Sequence, residues 1–90
     1  MPIGSQPSDV PSFGCVVYLR NSDGKVHGRV ANLDGIEVVG ADDRSVLGKI
    51  VQQFKRTVSE RLAQDEPAGL LDPPAEKRSD ERKLFLPVHL

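Results

Sequence analysis

The sequence predicts an α+β domain of order β-β-β-α-β. It comprises a three-stranded antiparallel meander, one long helix packed on one sheet face, and a C-terminal fourth strand. Three observations carry this prediction. Two turns of the form Asn-x-Asp-Gly, at 21–24 and 32–35, separate three short runs rich in β-branched residues. Apolar residues at Leu47, Ile50, Val51, Phe54, Val58 and Leu62 then recur at helical spacing. A final run, 83–90, alternates apolar and other residues as a strand does.

Residues 1–12 contain Pro2, Pro7 and Pro11 and show no periodicity, so they read as a disordered N-terminal tail. Residues 13–90 form a single domain. Strand one is expected over 13–20, where Val16, Val17 and Tyr18 favour extended backbone. Asn21–Gly24 supplies hairpin chemistry, since Asp bonds nearby backbone and Gly accepts positive φ. Strand two follows over 25–31, and strand three over 36–39 after the second turn. Two turns alone make a meander and not a solenoid.

The helix is expected from Asp43 to about Gln64. Asp42 is placed to cap it by accepting from the backbone N–H of Arg44 or Ser45. Asp43 and Arg61 complement the helix dipole at opposite ends. Gly48 interrupts the helix at a cost of roughly 1 kcal/mol relative to Ala, and close approach to the sheet and free tolerance of a glycine there account for it equally well. Residues 65–82 carry Pro67, Pro73 and Pro74 and are expected to be a flexible loop, with the mixed charges of 76–83 in solvent. Pro87 suits an edge strand or a bulge.

Strand alternation gives the sheet two faces. Cys15, Val17, Leu19, Val26, Val30, Ile36, Val38, Leu84, Leu86 and Val88 belong to the face that beds the helix. Tyr18, Arg20, His27, Arg29, Val39, Phe85 and His89 belong to the other. One helix covers one face, so this second set is expected to be open and to form the partner-binding surface.

Composition narrows the function. The 90 residues carry 12 Lys+Arg against 13 Asp+Glu, a net charge of -1 that argues against electrostatic nucleic-acid binding. The single cysteine excludes an intramolecular disulfide scaffold and a four-cysteine zinc cluster. No apolar run approaches the roughly 20 residues of a membrane span, and the first residues lack a secretion signal, so a cytoplasmic location is expected. No cofactor is expected. Cys15 lies on the opposite face from His27 and His89, so they form no metal site or Cys-His pair. Asp42–Asp43 is better explained by capping than by metal binding. No catalytic, cofactor-binding or metal-ligating residue is therefore assigned, and the protein is expected not to be an enzyme.

Val17–Tyr18, Asp23–Gly24, Leu33–Gly35 and Gly40–Asp42 fall in the order seen in the HicB-like antitoxin domain, which the stretch from Phe13 to Gln64 and the last strand, 84–90, resemble. That family shows an aspartate-rich hairpin turn, an Asp-Leu-Pro-Gly-Cys-like turn and a Gly-Asp-Thr helix start. The chain departs from it in reading Asp34–Ile36 for Pro-Gly-Cys and Gly40–Asp42 for Gly-Asp-Thr, and in carrying Arg44 and Ser45 where acidic residues often follow. The resemblance implies a partly degraded ribonuclease-H-like or dsRNA-binding-domain-like fold. It also implies a non-enzymatic module that binds another protein, in that family a small HicA-like toxin, or associates with itself. Family members carry a C-terminal DNA-binding segment, for which no room is expected after the fourth strand. The alternative is a small dsRNA- or nucleic-acid-binding domain, for which Lys49, Lys55, Arg56 and Arg61 would be the phosphate contacts.

Overall fold

The computed structural model describes residues 12–90. The expected tail lies outside the described residues except for Ser12, which opens the first strand. The fold is α+β with the predicted element order: β1 (Ser12–Ser22), β2 (Lys25–Val30), β3 (Glu37–Gly40), α1 (Asp43–Ala63) and β4 (Arg82–His89). The sheet order is β3-β2-β1-β4, and every neighbouring pair is antiparallel.

Local chemistry explains the turns and caps. Asp23 and Gly24 both have positive φ, 54° and 74°, as a two-residue hairpin with right-handed strand twist requires. The backbone N–H of Ser45 donates to Asp42 Oδ1 at 2.8 Å, so the cap is the one expected. At the other end Asp65 takes the left-handed conformation (φ 62°). There the Glu66 N–H donates to the Arg61 carbonyl, and the Asp65 N–H to that of Leu62, which closes the helix in a Schellman arrangement.

The helix stripe differs from the expected one. Val46, Ile50, Phe54 and Val58 are buried, Leu47 and Val51 are partly buried, and Leu62 is 40% exposed. Glycine sets this rotation, but not the helical one. A Cβ built on Gly28 would lie 2.6 Å from Val46 Cγ1 and 2.7 Å from Ile50 Cδ1, so the bare backbone of β2 admits the helix. Gly48 faces open space, which corrects the close-approach reading at that position. Cys15, Val17, Leu19, Leu33 and Val88 complete the core beneath α1. Leu33 sits inside it although it lies within the second turn.

Residues 64–81 determine how the sheet is completed. Helix α1 leaves off at its C-terminal end, about 30 Å from its start at 1.5 Å per residue. Strand β4 begins beside Leu19, and the Arg82 guanidinium grips Asp43, the first residue of the helix, at 2.8 and 3.0 Å. The chain therefore travels the helix length back before β4 starts. Because it re-enters the sheet at the end where the helix starts, β4 runs antiparallel to β1. A direct helix-to-strand turn would have made it parallel.

Candidate functional site

The returning segment, 64–81, contains neither helix nor strand and straps the second sheet face. Leu71 N–H donates to the Asn32 carbonyl at 2.8 Å and Ala75 N–H to that of Ala31 at 2.9 Å. The Tyr18 hydroxyl donates to the Ala75 carbonyl at 2.7 Å. Val16, Tyr18 and Ala31 thereby form a small second core, with Tyr18 only 5% exposed. The strap thus covers the middle of the face expected to be open and buries Tyr18, while Val39 and Phe85 on the same face stay exposed. These three hydrogen bonds hold its backbone along the sheet instead of letting it loop into water.

The strap is locked at its far end. Glu81 is 5% exposed and accepts from Arg29 Nε at 2.7 Å and Arg29 Nη2 at 2.8 Å. The Arg78 backbone N–H donates to the same carboxylate at 2.8 Å. The hydrogen bonds from Arg29 lower the Glu81 pKa to about 2 against the desolvation that opposes them. Arg29 also donates to the Glu76 carbonyl and lies over the Tyr18 ring, 5.1 Å from its centroid. The expectation that residues 76–83 are solvated therefore fails at Glu81, whose charge is compensated by three donors.

Cross-strand register places four of the expected contact residues together. Val39, His27 and Arg20 are paired in one row across β3, β2 and β1, and Arg29 lies in the next. With Glu37, Arg78 and Glu81 they line a cavity of about 180 Å³ between β3 and the strap. Val39 is half-exposed at its rim. Arg78 and Glu81 escaped the sequence reading because nothing local announces a partner 52 residues away.

Phe85 and His89 are elsewhere. Phe85 pairs with Val16 and His89 with Ser12. Ser12 and Arg20 are therefore roughly 26 Å apart along β1 at about 3.3 Å per residue. Phe85 is 64% exposed, and its ring covers the bare backbone of Gly14, where a Cβ would come within 2.5 Å of it. His27 and His89 lie on strands separated by β1. Cys15 is fully buried, and burial pushes its thiol up to about 11, so it is a core residue and not a nucleophile. Among the described residues no group of three or more His, Cys, Asp or Glu side chains converges as metal ligands. No helix of the described residues is long and apolar enough to cross a membrane. No family model, curated protein or solved structure matches the chain.

Proposed function

We propose that the chain is a non-enzymatic protein-interaction module of the HicB-like antitoxin type, acting in the cytoplasm. Its partner in this reading is a small HicA-like toxin. The observation that carries the proposal is the edge strand β4. It is hydrogen-bonded on one side only, it spans eight residues, and it presents Phe85 to solvent. Such an edge accepts an extended segment of another chain through main-chain hydrogen bonds, with side-chain contacts supplying selectivity. The element order β-β-β-α-β, common to the family resembled, adds support.

Co-expression with a small basic HicA-like protein, followed by size-exclusion chromatography with light scattering, tests this reading. A stoichiometric complex lost on Phe85→Lys is expected. A chain that binds no such protein, or pairs only with itself through the same edge, would overturn the toxin assignment. The nucleic-acid alternative draws on Lys49, Lys55 and Arg56, exposed on the outer face of α1. Gel shifts with dsRNA at low and moderate salt decide it, and no shift at low salt ends it.

A further inference from the structure

The cavity between β3 and the strap has a chemistry separate from the β4 edge. Its volume, about 180 Å³, falls below the roughly 300–1,000 Å³ of sites for drug-sized ligands. A small polar group suits that volume better than a drug-sized ligand. Three arginines and a histidine border it, against Glu37 and Glu81.

These charges are not equally committed. Glu81 is occupied by Arg29 and by the Arg78 backbone. The guanidinium groups of Arg20 and Arg78 form no hydrogen bond or ion pair with another described residue, and that of Arg78 acts on Glu81 only through its charge at longer range. Arg29 uses Nε and Nη2 on Glu81 and Glu76, which leaves Nη1 without a described acceptor. Arg29 is also held in place by Tyr18 beneath it, so it approaches a ligand with little further ordering. The remaining acid, Glu37, is exposed at the outer strand, where solvent screens it.

We propose that this cavity binds one small oxyanion, a carboxylate or a phosphoryl group, between the guanidinium groups of Arg20 and Arg78 and above His27. Planar forked donors match the paired oxygens of both groups. Because Arg78 belongs to the strap and Arg20 to β1, the site exists only while the strap is docked. It depends on no protein partner and stands whether or not the β4 edge binds one.

The test is an amide-resolved NMR titration of the full chain with sodium acetate, and separately with sodium phosphate, at ionic strength held constant with chloride. Saturable shifts centred on Arg20, His27, Val39 and Arg78 are expected. The double change Arg20→Gln, Arg78→Gln should weaken binding at least about tenfold, from the loss of charge-assisted hydrogen bonds. The variant Lys55→Gln, on the exposed face of α1 across the sheet from the cavity, should leave it unchanged. Tighter binding of acetate assigns a carboxylate ligand, and tighter binding of phosphate a phosphoryl one. Shifts that stay linear with concentration, or that chloride reproduces, would overturn the proposal.

Discussion

Arg29 and Glu81 face each other across 52 residues of sequence, joined by two hydrogen bonds of 2.7 and 2.8 Å. One belongs to the sheet and the other to the strap, so this pair fastens the far end of the strap to the second face. The carboxylate is almost fully buried and the guanidinium is about a quarter exposed. Removing one partner strands the other and costs more than the pair itself contributes.

Glu81→Gln should therefore destabilise the protein by about 2–3 kcal/mol, at the low end for a buried pair because Arg29 retains some water. Tyr18 is the only tyrosine and there is no tryptophan, so intrinsic fluorescence reports the ground beneath the strap. Iodide should quench the variant more strongly than the parent in native buffer. Equal quenching together with an unchanged urea midpoint would show that the pair does not hold the strap.

Acid should act through the same carboxylate. The Glu81 pKa falls from 4.5 to about 2 on folding, so the unfolded chain binds this proton first as pH is lowered. The stabilisation is complete above pH 4.5 and is lost as pH falls towards 2. Asp43, lowered by its hydrogen bonds to Arg82, acts in the same direction from an exposed position. Urea midpoints measured between pH 5 and pH 2 should decline, and Glu81→Gln should flatten the decline.

Gly48 on the outer face of the helix and Gly28 at the helix-sheet interface should respond oppositely to alanine. Gly48→Ala fills open space on the helix surface and should stabilise by about 0.5–1 kcal/mol. Gly28→Ala forces a methyl against Val46, Ile50 and Leu19 and should destabilise by about 1–3 kcal/mol. Thermal denaturation of both variants checks the pair, and a stable Gly28→Ala protein would mean that the interface is looser than its geometry indicates.

Asn32→Leu is expected to cost about 2–3 kcal/mol despite the apolar surroundings. Asn32 Oδ1 accepts from the Val16 N–H at 3.0 Å, and Asn32 Nδ2 donates to the Gly14 carbonyl at 2.8 Å. The side chain thus continues the ladder of β1 beyond the end of β2. Leucine leaves both backbone groups unpaired in a buried place. Hydrogen exchange at the Val16 amide should accelerate before that of the Leu19 amide.

What the sequence made legible is local. Asp42 could be read as a cap because the N–H it accepts from is three residues away, and Asp23–Gly24 as a hairpin because the turn fixes its own φ values. Cys15 could be placed inside by strand parity alone. The features that were not legible depend on distant partners. Val46 displaced Leu62 from the stripe because Gly28, on another element, leaves room for it. Glu81 and Asn32 looked like ordinary loop polarity, and only the path of the strap gives them burial and partners. The candidate cavity shares this divide: Arg20, His27, Arg29 and Val39 follow from register, whereas Arg78 does not.

Surface connections are usually the parts of a domain that evolution shortens most freely. Here a deletion would carry a different penalty. A segment too short to recross the sheet would bring the last strand to β1 from the opposite end. Every residue from Arg82 to His89 would then meet β1 in reversed direction, with the present pairing of Val88 to Phe13 and Leu84 to Val17 lost. In this protein the length of an irregular stretch therefore acts as a determinant of topology, as binding on the fold as any strand.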